Sequence, residues 1–301
     1  MPLPRLQGPN SNLLKLLGLV KGLISATFLF ISLIIINFLQ CLSLLTLPFS
    51  RILFRSINRF FANVWWSACD LWAEHWWKIN VQFLGDKVPE KENALLVSNH
   101  QDMADITSLF RIARSKKRLG DIKWFVKDFL KFVPGIGWGM IFLDCIFLKR
   151  NWDRDKKHVN DMFSKFEKYD IPIWAISFVE GTRLRPNKLT KSQTYAKRNG
   201  LIPLKHLLTP RTKGFTATVI GLRNHLDAVY DVTIIYNDGV PTLWQWAQGY
   251  VKSVNIHIKR FSIEDLPVSQ EDLSSWLLKR FKIKDELLDH YYLKKDEILI
   301  S

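Results

Sequence analysis

From Gly22 to Ser50 the chain carries no charged residue, and Lys21 and Arg51 stand at the two ends of that run. An apolar stretch of this length exceeds the ~20 residues that carry a helix across a bilayer. It is also far longer than the apolar core of a cleaved signal peptide, and no small-residue cleavage site follows it. Asn37, Gln40 and Pro48 interrupt it. Basic residues lie on both sides, Lys15 and Lys21 before it and Arg51, Arg55 and Arg59 after it, so the positive charge that orients a single span favours neither end. A re-entrant hairpin with both ends on one side of a membrane fits as well as a single span. A buried pair of core helices is the third alternative.

The next segment is helical in pattern. Phe61, Val64, Trp65, Ala68, Trp72, His75, Trp76 and Ile79 recur at spacings of three and four, with Asn63, Ser67, Asp70, Glu74 and Lys78 opposite. Such a helix either lies in a membrane interface or packs on a neighbouring domain, with His75 packed in the apolar stripe. Beyond Gly85, short β-rich runs alternate with helical ones, which predicts an α/β fold, a mixed sheet flanked by helices. Strands are expected at Ala94 to Ser98, Ile141 to Phe147, Ile173 to Val179, Val229 to Tyr236 and Val254 to Ile258. Helices are expected at Asp102 to Arg114, Asp153 to Tyr169, Phe215 to Arg223 and from Ser269, where Ser269 and Asp272 resemble a capping box. The chain therefore divides into a membrane anchor over residues 1–50, an aromatic amphipathic helix over 51–84 and an α/β domain over 85–301.

Lys and Arg number 43 against 28 Asp and Glu, a formal net charge of +15. That surplus attracts nucleic acid, an anionic membrane face or phosphorylated small molecules alike. Twelve Trp and twenty Phe tilt the choice towards a lipid surface, because aromatic rings collect where one side is apolar and the other wet. Finger spacings and aromatic-basic repeats are missing, so no nucleic-acid partner is expected. Cys41, Cys69 and Cys145 suggest neither a disulfide framework nor a zinc site, and each sits in an apolar stretch where an inert thiol in a reducing, cytosol-facing setting is expected. The sequence has no G-x-S-x-G elbow, P-loop or H-E-x-x-H helix, and the glycines from Val133 to Gly139 lack the helix and distant acid of a dinucleotide fingerprint. No metal or cofactor is called for.

Two polar turns end two apolar runs. In the first, Leu95-Leu96-Val97-Ser98-Asn99-His100 places an imidazole at a strand end, and Asp105 follows where a helix begins. That carboxylate can reach back to one ring nitrogen and leave the other free to take a proton. Asp102 and Asp105 can equally be helix caps. In the second, an apolar run from Ile173 to Val179 leads into Glu180-Gly181-Thr182-Arg183, with Arg185 and Lys188 close behind. Guanidinium groups there suit bidentate phosphate recognition, and Glu180 either orients Arg183 or accepts a substrate hydroxyl, unless the turn is a surface ion pair. Arg150, after Phe147, is a second candidate phosphate ligand or one member of a solvated basic cluster.

His100-x-x-x-x-Asp105, Phe147-x-x-Arg150 and Glu180-Gly181-Thr182-Arg183, in this order, resemble the first three motifs of the 1-acylglycerol-3-phosphate acyltransferase (lysophospholipid acyltransferase) superfamily. The likeness runs from about Ala94 to Gly214, including the Pro134 to Trp138 turn and Leu208 to Gly214, and is looser at Lys284-Asp285-Glu286-Leu287-Leu288. It implies a glycerophosphate-acyltransferase-like fold and acyl transfer from acyl-CoA to the free sn-2 hydroxyl of a lysophospholipid. In that chemistry His100 is general base, Asp105 its orienting partner, and Glu180, Gly181, Thr182, Arg183 and Arg150 hold the acceptor phosphate. It further implies an endoplasmic-reticulum membrane with the catalytic domain facing the cytosol. An acyltransferase-like adaptor that binds anionic membranes without catalysis is the alternative function. The charged tail after Ser269 departs from longer relatives with further hydrophobic segments, and Leu201-Ile202-Pro203-Leu204 is the candidate for a fourth motif.

Overall fold

The runs rich in Val, Ile and aromatic side chains pair into one seven-stranded sheet. The computed structural model describes residues 4–149 and 151–300. Its strands are β1 (Asn80–Gly85), β2 (Ala94–Ser98), β3 (Ile122–Lys127), β4 (Ile146–Leu148), β5 (Trp174–Ser177), β6 (Ala228–Tyr236) and β7 (Ser253–Ser262). They lie in the order β1-β7-β6-β2-β5-β3-β4, with β6 and β7 antiparallel and the other neighbours parallel. Every residue of β2 and β6 is buried, as expected of strands covered on both faces.

The helices are α1 (Asn12–Leu42), α2 (Arg51–His75), α3 (Asp105–Ser115), α4 (Ile136–Phe142), α5 (Trp152–Lys168), α6 (Pro186–Arg198), α7 (Thr212–Gly221), α8 (Leu243–Ala247) and α9 (Gln270–Ile300). Alternation along β2 sends Ala94 and Leu96 into one core with Trp66, Phe110 and Ile112 of α2 and α3. Leu95 and Val97 enter the other, with Phe163, Phe215 and Leu277 of α5, α7 and α9. The expected mixed α/β sheet with flanking helices is present. Ser269 caps α9 as read, accepting from the Asp272 N–H at 3.0 Å.

Local differences have physical causes. The stretch expected as a strand from Ile141 to Phe147 is helix α4 up to Phe142, with only Ile146–Leu148 extended. Ile141, where the strand was expected to begin, is exposed on that helix, as are Ile136 and Trp138 of the preceding turn. A helix therefore starts inside the glycine run, with Gly135 at its N-cap and Gly137 and Gly139 within it. Strand β1 was not expected, because Ile79 continued the helical spacing. Helix α2 stops at His75, and Lys78, at φ 56°, turns the chain into an edge strand beside β7. Strand β3 and helix α6 were likewise not anticipated.

Helices α1 and α2 form an antiparallel hairpin whose sidedness is inverted. The buried residues of α1 are Gly18, Gly22, Ser25, Asn37 and Gln40, while Phe30, Ile34 and Phe38 are exposed. By length and composition the segment Asn12–Thr46 can cross a membrane, and only 17 % of its most apolar window is buried, so it is not a core helix. The polar interruptions are its seams. Asn37 donates to the Gly135 carbonyl at 2.9 Å, and Ser25 accepts the indole N–H of both Trp72 and Trp77 at 3.1 Å. A side chain at Gly18 would collide with the Tyr250 ring. On α2 the buried stripe is Phe54, Asn58, Ala62, Trp66, Asp70 and Ala73, rotated from the aromatic stripe in the sequence. Asp70, expected on a solvated face, is 2 % exposed and pairs with Arg111 at 2.8 Å and Arg114 at 2.5 Å on α3. His75, expected to be packed, is exposed.

Candidate active site

Strand register brings the two polar turns level. Val97 of β2 pairs with Ser177 of β5, and three residues beyond each lie His100 and Glu180. The turns are then stitched together. The Leu184 N–H donates to the His100 carbonyl at 2.8 Å, and the His100 N–H donates to Glu180 Oε1 at 2.8 Å. On the other flank, the Asn99 side chain extends the ladder to β6, accepting from the Ile234 N–H at 2.8 Å and donating to its carbonyl at 3.0 Å.

The imidazole is held on two sides. Its Nδ1 lies 2.9 Å from Asp105 Oδ2, and its ring stacks on Phe178 with centroids 3.9 Å apart. Asp105 is fully buried at the first residue of α3. Its Oδ2 also accepts the Gln101 N–H at 2.6 Å and the Asp102 N–H at 3.0 Å, and its Oδ1 accepts the Tyr236 hydroxyl at 2.8 Å. Those bonds hold the carboxylate in place against the ring, where it accepts the imidazole N–H on Nδ1. Burial, and then Asp105 beside it, pushes the Tyr236 hydroxyl well above its usual range, so it stays protonated and donates. Ala104 occupies the N-cap of α3 with no side-chain cap, so the carboxylates of Asp102 and Asp105 serve the preceding turn and not the helix. Nε2 has no hydrogen-bond partner among the described residues.

Asp102 collects cations. Its Oδ2 accepts from Arg5 and from Arg185 at 3.1 Å, and its Oδ1 lies 3.4 Å from Arg183. Burial works to raise its carboxyl, but Arg5, the Met103 N–H and Arg185 outweigh it and hold the group below the usual range. Arg183 and Arg185 stay partly exposed around this buried anion. Thr182 bonds Lys188, and Gly181, at φ +71°, lies where a Cβ would come 2.9 Å from Arg211 Nε.

Glu180 is the member of the second turn that faces inward. It is 3 % exposed, and its Oε2 accepts the Leu208 N–H at 2.9 Å. Burial pushes its carboxyl up to about 8, against the two backbone N–H groups and the charge of Lys284. Lys284, 1 % exposed on α9, donates to the carbonyls of Val97 at 3.1 Å and Val232 at 2.7 Å and pairs with Asp231 at 2.8 Å. Asp285 beside it accepts the N–H groups of Lys205 at 2.8 Å and His206 at 2.7 Å. The tail thus braces the floor of the site and the 201–208 loop.

Of the residues singled out by sequence, the structure brings together His100, Asp105, Glu180, Gly181, Thr182 and Arg183, while Arg150 lies outside the described residues. Arg5 and Tyr236 were not singled out, and Lys284 was noted only in a loose match of the tail. A hydroxyl directly after Ile234 and Ile235 at the end of β6 was the available signal for Tyr236; nothing local marks Arg5, 97 residues from its partner.

The acyltransferase family model matches residues 79–237, and an acyltransferase C-terminus model matches 248–297. A probable 1-acyl-sn-glycerol-3-phosphate acyltransferase 5 of Arabidopsis thaliana is 35 % identical over 94 % of this chain and 76 % of its own. The human 1-acyl-sn-glycerol-3-phosphate acyltransferase gamma is 33 % identical over 87 % of this chain and 71 % of its own. The crystal structure of the 1-acyl-sn-glycerophosphate acyltransferase PlsC from Thermotoga maritima shares the fold, with a TM-score of 0.53 at 17 % identity, covering 92 % of this chain and 97 % of that one. The chain belongs to the acyltransferase family.

Proposed function

We propose that this protein transfers a fatty acyl group from acyl-CoA to the free sn-2 hydroxyl of a lysophosphatidate or related lysophospholipid, with His100 as general base. The observation that carries the reading is an imidazole whose Nδ1 is fixed by a buried carboxylate 2.9 Å away, one turn from a cluster of guanidinium groups. Relatives named as 1-acyl-sn-glycerol-3-phosphate acyltransferases support the acceptor class.

The acceptor hydroxyl gives its proton to Nε2 as its oxygen attacks the thioester carbon, and the imidazolium is stabilised by Asp105. The tetrahedral intermediate collapses with breakage of the C–S bond, and the thiolate leaves and takes a proton back from the imidazolium. With a reference thiol pKa near ~8.5 the thiolate is a good leaving group, so no covalent acyl-enzyme is required. Arg183 and Arg185 hold the acceptor phosphate, placing its hydroxyl about 3 Å from the base. Thr182 and Gly181 shape that turn, Glu180 positions the His100 backbone from below, and Arg150 is retained as a phosphate ligand from its motif.

The exposed apolar face of α1 seats the enzyme on membrane lipid. We assign the endoplasmic reticulum and a cytosol-facing site; three unpaired cysteines are consistent with that compartment, and burial pushes the Cys145 thiol up to about 11, out of nucleophilic range. Purified protein incubated with labelled acyl-CoA and a panel of lysophospholipids tests the reading. Labelled diacyl product from lysophosphatidate is expected; absence of product from every acceptor would remove it.

A further inference from the structure

We propose that Arg5 is a further guanidinium of the acceptor-phosphate site, joining Arg183 and Arg185 on Asp102 and carried there by the N-terminal segment; the assignment rests on the acyl-transfer reading above. The segment is anchored independently of that side chain. Leu6 N–H donates to the Val240 carbonyl at 3.1 Å, Val240 N–H donates to the Pro4 carbonyl at 2.9 Å, and Gln245 donates to the Leu6 carbonyl at 2.8 Å. The Leu6 side chain is buried. With the backbone so fixed, the Arg5 guanidinium meets Asp102 Oδ2, the same oxygen that accepts from Arg185 at 3.1 Å, while Arg183 approaches Oδ1 at 3.4 Å.

Charge and exposure make this more than a tether. Three guanidinium groups around one carboxylate leave a surplus of two positive charges. A phosphate monoester carries about −1.5 to −2 at neutral pH, which matches. Asp102 is 5 % exposed, so it is enclosed as an organiser, whereas Arg5 and Arg183 remain 41 % and 43 % exposed and keep N–H donors open to a ligand. Asp102 therefore aligns the three groups without neutralising them. The segment runs on into α1, which starts at Asn12, so the cation sits at the root of the element whose apolar face meets lipid.

A phosphate monoester is present both on a lysophosphatidate and at the 3′-position of coenzyme A, and kinetics separates the two. Initial rates are measured with the full chain in lipid–detergent micelles, varying lysophosphatidate and acyl-CoA in turn, for wild type, Arg5→Gln and Arg5→Lys. Loss of one charge-assisted contact is expected to raise the KM for lysophosphatidate roughly tenfold in Arg5→Gln, with kcat changed far less. The KM for acyl-CoA should stay at its wild-type value, and Arg5→Lys should recover part of the loss. A rise confined to the acyl-CoA KM would overturn the acceptor assignment, and so would unchanged KM values or a fall in kcat alone. Should wild type acylate no lysophosphatidate, the functional reading is what fails. Titration with glycerol 3-phosphate followed by phosphorus NMR then judges Arg5 separately: weaker binding to Arg5→Gln upholds the anion site and equal binding ends it.

Discussion

Helix α1 turns Gly18, Gly22, Ser25, Asn37 and Gln40 inward and leaves Phe30, Ile34 and Phe38 exposed. Strands β2 and β6 do the reverse, burying Leu96, Val97, Ile234 and Ile235, and they bring polar groups together where they end, at His100 and Tyr236. The same residue types are thus sorted by two different surroundings. Apolar side chains on the hairpin have lipid as their expected partner, whereas those of the sheet have each other. Two of the buried ionisable groups in the sheet domain are tolerated because they are paired: Lys284 with Asp231 and two carbonyls, Asp105 with a ring nitrogen, two N–H groups and a hydroxyl.

The largest stability effect is expected in that paired interior. Lys284→Met leaves Asp231, among the described residues, with Arg280 at 2.9 Å and removes the lysine donor from the carbonyls of Val97 and Val232. Removing one partner of a buried pair costs about 3–5 kcal/mol, so urea denaturation should move to a much lower midpoint. A midpoint unchanged from wild type would mean that α9 does not brace the sheet. Leu96→Ala, in the core between β2, α2 and α3, should cost about 2–5 kcal/mol by the same measurement.

Glu180 gives the comparison a pH axis. Its folded-state value of about 8 lies above the usual 4.5, so between those limits the native state binds more protons than the unfolded one. Stability contributed by this group is present below 4.5 and falls as pH rises towards about 8. Denaturation curves of wild type across that window should therefore decline more steeply than those of Glu180→Gln; parallel curves would contradict the burial assigned to it.

The smallest stability change belongs to the hairpin. Phe49 is 88 % exposed, and Phe49→Ser should leave the urea midpoint within about 0.5 kcal/mol of wild type. Cosedimentation with phospholipid vesicles should nevertheless weaken by about 10- to 100-fold, because about 1.5–3 kcal/mol of apolar burial in lipid is lost. Equal vesicle binding would place Phe49 away from the membrane.

Where the candidate site is local, the sequence showed which residues would lie together. His100 and Asp105 are five apart across a strand end, and Glu180 to Arg183 form a single turn, so their placement followed from strand ends alone. The sheet was legible where strands are apolar runs, as at β2 and β5, and at β6, where Val and Ile outnumber Asp231 and Thr233. It was not legible at β1, an edge strand with exposed side chains, nor at α4, where outward-facing apolar residues imitate a strand. Spacing could not choose between a helix cap and an imidazole partner for Asp105, because a carboxylate at that position reaches both the turn and the ring. Asp102, open to a capping role in the sequence, anchors three arginines that the chain delivers from distant segments. Long-range pairs of that kind leave no periodic trace.

The central claim is that His100 takes the acceptor proton. Acyl transfer from labelled acyl-CoA to lysophosphatidate should be measured for wild type and His100→Ala, after vesicle binding and urea midpoints have established that both are folded and membrane-bound. Removing a general base should lower kcat by about 10²–10⁴-fold. Turnover of His100→Ala close to wild type would contradict the account.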